Sequence, residues 1–118
     1  ELPAALDRFT VGSDYPVFIY RKDGTDASGM RNFWDIVRSR LPEAGACVLA
    51  SDNQGTPILL AAGTDEAVEK GFNAGAVIKQ ISREIKGGGG GKPTMAQAGG
   101  KDASGIDAAL DAARKLFA

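Results

Sequence analysis

Two hydrophobic periods in the first forty residues predict two different elements. Residues 15–22 are rich in aromatic and β-branched side chains and predict a strand that a turn ends at Asp23-Gly24. Residues 27–41 place apolar side chains three and four positions apart, which predicts an amphipathic helix ended by Pro42. Residues 1–14 carry no pattern that decides between a helix and a strand.

Two short apolar runs, at residues 45–51 and 56–62, lie on either side of a turn-forming link at residues 52–55. A link of this length and composition predicts an antiparallel hairpin. Both runs are almost continuously apolar, so we expect both strands to be covered on both faces. Pro57 has no backbone N–H to donate, and we therefore expect it at the start of its strand or on an edge.

The remaining segments predict a helix at 73–85, a glycine loop at 87–91, a short strand at 94–98 and a final helix. Asp107 follows Ser104 by three residues, a spacing that favours Ser104 as the N-cap of the final helix. The order of these elements predicts an α/β (α+β) fold. We expect a single two-layer domain with a mixed β-sheet of about four to five strands, packed helices and a glycine-rich loop.

The composition of the 118-residue chain removes several kinds of chemistry. It has no histidine, so serine or cysteine nucleophiles activated by histidine and zinc sites containing histidine are excluded within the chain. Cys47 completes no disulfide, and its apolar neighbours favour an inert buried thiol and a reducing, cytoplasmic location. We therefore expect no catalytic residue, no metal and no membrane span. A chain that begins at Glu1 suggests a fragment of a longer protein.

Charge is nearly balanced, with 14 Lys and Arg against 15 Asp and Glu. Binding to a nucleic acid would therefore have to use a local basic patch rather than the field of the whole protein. One basic set begins on the polar face of the predicted second helix and continues across the glycine loop. Its members are Lys79, Arg83, Lys86, Lys92 and Lys101.

The five consecutive glycines from Gly87 to Gly91 allow two interpretations. Such a tract costs much backbone entropy to order, and one use for it is the close approach of backbone amides to a phosphate. A side chain at Gly90 would then block that approach or conflict with a positive φ. The alternative is a glycine C-cap for the second helix, followed by a slack connection. A Walker loop is excluded because Pro93 follows Lys92.

From Gly87 to Gly100 the chain has a glycine tract, then x-Pro-x-Met-Ala-Gln-Ala-Gly-Gly, and a terminal helix follows. This run resembles the C-terminal domain of alanyl-tRNA synthetase, which belongs to the DHH-associated domain group. The resemblance covers residues 44–118, the expected domain core, and is weak over residues 1–43. We expect residues 1–43 to contribute the N-terminal strand and helix of the same globular domain.

The resemblance implies a noncatalytic tRNA-binding domain that holds the elbow of the L-shaped tRNA. It also implies that the aminoacylation and editing sites, with their ATP and zinc, lie in other domains of the same synthetase, which are further partners. No cofactor is implied for this segment. The residues expected to bind nucleic acid are Lys79, Arg83, Lys86, Gly88, Gly89, Gly90, Gly91, Lys92, Gln97, Gly99, Gly100 and Lys101.

Two alternatives stay open. Some members of this family use the domain for dimerisation or other protein contacts, which implies a homodimer here. The same domain group occurs in phosphodiesterases, where a histidine follows the glycines and helps to hold the substrate phosphate. Gly90, Gly91 and Lys92 occupy that region in this chain, which favours the synthetase branch.

Overall fold

The computed structural model describes residues 9–10, 15, 17–39 and 44–117, and these residues form one mixed sheet with helices. The strands are β1 (Phe9–Thr10), β2 (Val17–Arg21), β3 (Ala46–Asn53), β4 (Thr56–Gly63), β5 (Gly88–Gly91) and β6 (Met95–Gly99). The helices are α1 (Ala27–Arg38), α2 (Asp65–Glu69), α3 (Ala74–Ile81) and α4 (Ile106–Phe117). Short 3₁₀ turns at Ser82–Ile85 and Ala103–Gly105 follow α3 and precede α4.

The six strands lie in the order β1-β2-β3-β4-β6-β5. Strands β2 and β3 are parallel and are joined through α1, whereas the other neighbours are antiparallel. The predicted α+β class and mixed sheet are therefore confirmed. Most of the N-terminal segment without a clear pattern, and residue 43 at the expected boundary between residues 43 and 44, lie outside the described residues.

Helices cover both faces of the sheet, so the structure adds a helix layer to the expected two. On one face α1 packs through Trp34 against strand residues such as Phe18 and Leu60. On the other face α3 and α4 pack against the opposite side chains of the same strands. Cys47 is fully buried under α1, and this burial raises the pKa of its thiol. The expected two-sided covering of β3 and β4 is confirmed.

The β3–β4 hairpin turns through Gln54 and Gly55, whose φ angles are 54° and 88°. Two successive positive φ angles are those of a two-residue type I′ turn, whose twist matches that of the flanking strands. The Asp52 carboxylate accepts a hydrogen bond of 2.9 Å from the Gly55 N–H. Pro57 is the second residue of β4, opposite Asp52, so its predicted position at the start of the strand is confirmed.

Side-chain caps fix where the helices begin. Asp26 accepts from the Gly29 N–H at the start of α1, and Asn73 accepts from the Ala76 N–H at the start of α3. The prediction that Ser104 caps the last helix is wrong. Asp102 is the acceptor there, because its carboxylate receives the N–H and the hydroxyl of Ser104, which itself lies inside the 3₁₀ turn.

The predicted loop at the glycine tract is also wrong. Residues 88–91 form β5, an edge strand paired antiparallel with β6. A strand needs only backbone groups for its ladder, so glycine can pair despite its entropic cost when the neighbouring strand is already fixed. Strand β6 is fixed in this way, since β4 pairs with its other side.

Candidate nucleic-acid interface

Strand β5 presents bare backbone at the edge of the sheet. All four of its residues are exposed glycines. Lys92 and Met95, the next pair along the hairpin, exchange both backbone hydrogen bonds, at 2.8 and 3.2 Å. Antiparallel pairs alternate, so Gly88 and Gly90 also bond to β6, whereas Gly89 and Gly91 direct their N–H and C=O groups toward the free edge.

Alternate residues of β5 need glycine for a steric reason. A Cβ at Gly89 would lie 2.7 Å from the Ala98 Cα, and one at Gly91 would lie 2.8 Å from the Ala96 Cα. A Cβ at Gly88 or Gly90 would meet nothing within 4 Å. None of these glycines has a φ in the left-handed region, so the expected conflict of a side chain at Gly90 with a positive φ is wrong.

The residue that ends the helical segment before β5 is Lys86, with φ 53° and ψ 45°. The predicted glycine C-cap is therefore wrong, because a lysine occupies the left-handed position that usually favours glycine. The Gly87 N–H then donates to the Ser82 carbonyl at 3.1 Å. At the other end of β5, the Ala74 N–H donates to the Pro93 carbonyl at 2.9 Å. Hydrogen bonds therefore connect the residue before β5 to the 3₁₀ turn after α3, and the turn after β5 to the start of α3.

A groove of about 310 Å³ runs between α3 and the free edge of β5. Its lining consists of Asn73, Gly75, Ala76, Lys79, Gly90 and Gly91. The first N–H groups of α3 are largely used within the chain, by the Pro93 carbonyl and by the side chain and carbonyl of Asn73. The attraction of this groove for an anion therefore comes mainly from Lys79.

The other members of the basic set lie around the same strand. Lys92 follows β5 in the hairpin turn, and Arg83 lies one helical turn after Lys79. Lys86 and Lys101 lie at the opposite end, where the Lys101 N–H donates to the Ile85 carbonyl at 3.0 Å. In the described part of the chain, Arg21 and Arg114 are the only basic residues that form ion pairs within 4.0 Å, so the five basic side chains are exposed and none has a carboxylate within that distance.

Asp102 is an acidic residue beside this end of the strand, where its N–H donates to the Ile85 carbonyl at 3.0 Å. The Ser104 hydroxyl, the Ser104 N–H and the charge of Lys86 all lower the pKa of its carboxyl.

Gly100 packs against the 3₁₀ turn that follows α3, since a Cβ there would lie 2.8 Å from Ile85 Cγ1. The structure therefore brings Gly99, Gly100 and Lys101 beside β5, with Gly100 in a packing contact.

Gln97 lies on the other face of the sheet from Lys79. Its neighbours Ala96 and Ala98 pack with α3 and α4, whereas the side-chain Oε1 of Gln97 accepts a 2.8 Å hydrogen bond from Arg31 of α1. Arg31 is exposed, and the sequence reasoning missed it. No spacing pattern could have found it, because the two partners are 66 residues apart and meet only when α1 crosses the sheet.

Neither a metal-binding cluster nor a membrane-spanning helix is found among the described residues. No cluster of three or more His, Cys, Asp or Glu side chains with metal-binding geometry is found among them. Over the same residues, no helix combines the length and the apolar character that a membrane crossing requires.

Comparison with protein families gave a match to the DHHA1 domain over residues 14–118. Alanine–tRNA ligase 1 of Lachnoclostridium phytofermentans is 48% identical over 90 residues, which is 75% of this chain and 10% of that protein. The alanine–tRNA ligase of Oceanobacillus iheyensis is 36% identical over 117 residues, which is 99% of this chain and 13% of that protein. The chain thus spans about a tenth of the length of these curated relatives.

Among solved structures, the C-Ala domain of Aquifex aeolicus alanyl-tRNA synthetase superposes with a TM-score of 0.82. The match covers 93% of this chain and 97% of that domain, at 24% sequence identity. At this identity the similarity establishes the fold, and it agrees with the mixed sheet and helices described above.

Proposed function

The chain belongs to the DHHA1 domain family, and from that premise we propose that it binds tRNA as the C-terminal domain of an alanine–tRNA ligase. In this role it holds the tRNA elbow while the aminoacylation and editing sites of other domains act on the same molecule, in the cytoplasm. ATP and zinc belong to those other domains, and binding here needs no cofactor. The observation that carries the proposal is the exposed edge strand β5, which consists only of glycine, together with the five exposed basic side chains around it that form no ion pair within 4.0 Å.

The free edge of β5 suits a phosphodiester backbone. The N–H groups of Gly89 and Gly91 are available there as donors, and no side chain keeps a phosphate away from them. Lys79 adds a full positive charge beside Gly90 and Gly91. Backbone amides and lysines bind phosphate without reading base identity, so this domain recognises mainly the shape and the backbone of the RNA.

Salt dependence follows from the same contacts. If the basic set neutralises about 3 to 5 phosphates, the slope of log K against log salt is about −2 to −4. A titration of full-length alanine tRNA transcript into the chain at several salt concentrations measures this slope. A slope near zero would contradict an interface built on phosphate contacts.

Gly90 provides the sharpest test, because its Cβ position is open. We compare Gly90→Glu with Gly90→Gln, which have nearly the same size but differ by one negative charge. Since the new carboxylate would lie beside the free N–H groups of Gly89 and Gly91, we expect Gly90→Glu to lower affinity for tRNA at least tenfold more than Gly90→Gln. Equal affinities in two folded variants would place the RNA elsewhere.

The proposed elbow contact is tested with two RNAs. Full L-shaped tRNA contains the elbow, whereas an acceptor-stem minihelix lacks it. We expect tight binding to the first and weak, salt-sensitive binding to the second. Similar affinities would retain RNA binding but contradict the elbow as its target.

Self-association is the competing function, and the free edge of β5 is the observation that favours it, since an open edge can pair with a second copy. Such pairing would bring the lysines beside β5 of two copies toward each other, which disfavours it at low salt. Sedimentation of the chain decides the matter. A dimer that persists on dilution, together with no affinity for tRNA, would replace the proposed function.

A further inference from the structure

The geometry points to an interface with two sides: the RNA straddles β5, with Lys79 on one face and Arg31 as a second cationic contact on the other. This inference rests on the proposed tRNA binding. It adds α1 to the interface. The residues that the sequence predicts for this interface lie only on α3, on the 3₁₀ turn that follows it, and on the β5–β6 hairpin with the residues next to that hairpin.

The register of the hairpin places Arg31 beside the same strand. Gln97 is directly opposite Gly90, and residues that face each other across an antiparallel pair project from the same side of the sheet. Gln97 projects toward α1, where its Oε1 accepts from Arg31 Nη1 at 2.8 Å and its Nε2 lies 3.5 Å from the Ala27 carbonyl. The Arg31 guanidinium is therefore held one side chain away from Gly90, on the α1 face.

Gly90 also lines the groove that contains Lys79 on the α3 face. The two cations thus flank a single residue from opposite sides. Because β5 has no side chains, nothing but its backbone separates the two faces at this edge. An RNA backbone that reaches the free N–H groups of Gly89 and Gly91 can then contact a cation on each face.

The environment of Arg31 leaves its charge available. Its partner is a neutral amide, and a guanidinium has further N–H donors that this one bond does not use. Asp35 lies four residues farther along α1, and Asp26 caps the helix, but neither forms an ion pair with Arg31 in the described structure. Arg21 differs, because the carboxylates of Asp23 and Asp107 both bind it.

The experiment compares two charge-removing variants, Arg31→Gln and Lys115→Gln. Lys115 is an exposed residue in the last turn of α4, a helix whose strand contacts are mainly with β2 and β3 and whose other contacts are with α3 and the 3₁₀ turns, so it serves as the matched control away from β5. We expect Arg31→Gln to weaken binding of alanine tRNA transcript about fivefold, the effect of one cation at a polyanionic surface. It also lowers the magnitude of the salt slope by about 0.7 to 0.9. Lys115→Gln leaves both unchanged.

Gln97→Ala separates direct contact from positioning. It removes the hydrogen bond but keeps the Arg31 charge, so the salt slope stays at the parent value even if affinity falls. If Arg31→Gln is folded and keeps the parent affinity and slope while Lys79→Gln weakens binding, the RNA lies on the α3 face alone and the inference is overturned, although the proposed function stands. If the parent chain does not bind tRNA, the proposed function fails and the inference fails with it.

Discussion

Two antiparallel hairpins of the same sheet are stabilised in different ways. In β3–β4 the side chains are buried on both faces, and Leu59 and Leu60 are fully buried on opposite sides. In β5–β6 the outer strand consists of exposed glycines and contributes only backbone hydrogen bonds. The comparison separates what stabilises the domain from what it exposes to solvent: apolar burial lies in the centre of the sheet, and open backbone lies at its edge.

Energy magnitudes explain why these properties lie in different strands. Burying a leucine side chain contributes about 1.5 to 3 kcal/mol, whereas a net backbone hydrogen bond contributes about 0.5 to 1.5 kcal/mol and glycine adds an entropic cost. Strand β5 is therefore held by its hydrogen bonds to β6, by the hydrogen bonds at its two ends and by the packing of α3 against it. A surface free of side chains requires this weak strand, and the buried hairpin supplies the stability that allows it.

The largest effect is expected in the buried hairpin. Leu60→Ala removes a fully buried side chain under α1 and lowers the free energy of unfolding by about 2 to 5 kcal/mol. Denaturant unfolding measures this loss. Affinity for tRNA, corrected for the folded fraction, stays at the parent value. A large loss of affinity in the folded fraction would contradict the separation of the two hairpins.

The second effect is a contrast within β5 itself. Gly89→Ala places a Cβ against the backbone of β6, so the strand must shift or detach, at a cost of about 1 to 3 kcal/mol. Gly90→Ala meets open space and changes stability by less than about 1 kcal/mol. Hydrogen exchange measures the contrast, with faster exchange in β5 and β6 only for Gly89→Ala. Equal behaviour of the two variants would contradict the alternating contacts.

This contrast also shows where sequence reasoning stops. The β3–β4 hairpin was predictable because its apolar runs and turn residues are signals local to the chain. The glycine tract carries no hydrophobic period, so its pairing could not be predicted from its own residues. That pairing depends on β6, whose other side is bonded to β4, and this is a property of the whole sheet.

The candidate site divides in the same way. The basic set could be identified from sequence because Lys79, Arg83 and Lys86 follow helical spacing and Lys92 adjoins the glycines. The proposed role of Arg31 could not, since its contact with Gln97 arises only when α1 packs across the sheet. The left-handed conformation of Lys86 was also hidden, because five neighbouring glycines suggested a simpler cap.

Lys86 gives the third prediction, in which stability and binding change in opposite directions. A glycine removes the strain of the left-handed conformation, so Lys86→Gly raises the free energy of unfolding by about 0.5 to 1 kcal/mol. The same change removes a positive charge beside the glycine edge and weakens tRNA binding. Thermal unfolding and RNA titration measure the two effects. A variant that is both more stable and equally tight in binding would show that Lys86 lies outside the interface.

The smallest effect concerns the Asp23 carboxylate, which connects Arg21 of β2 to Asp52 of the β3–β4 hairpin. Asp23 accepts from Arg21 at 2.8 Å and from the Asp52 N–H at 3.0 Å, and these two bonds lower the pKa of its carboxyl. A lowered pKa in the folded state contributes stability above the unfolded value, which is near ~3.9, and that contribution is lost as the pH falls through the folded pKa.

Asp23→Asn therefore costs about 0.2 to 0.5 kcal/mol at pH 7, a small amount because solvent screens this exposed pair. The difference from the parent shrinks to zero in acid, below the folded pKa of Asp23, since the parent carboxyl is then also neutral. Urea unfolding at a series of pH values between ~2 and ~7 measures the difference. The basic side chains around β5 have no such carboxylate partners, so tRNA affinity at pH 7 is unaffected by this variant. A stability difference that stays constant across the series would mean that the charge of Asp23 does not contribute.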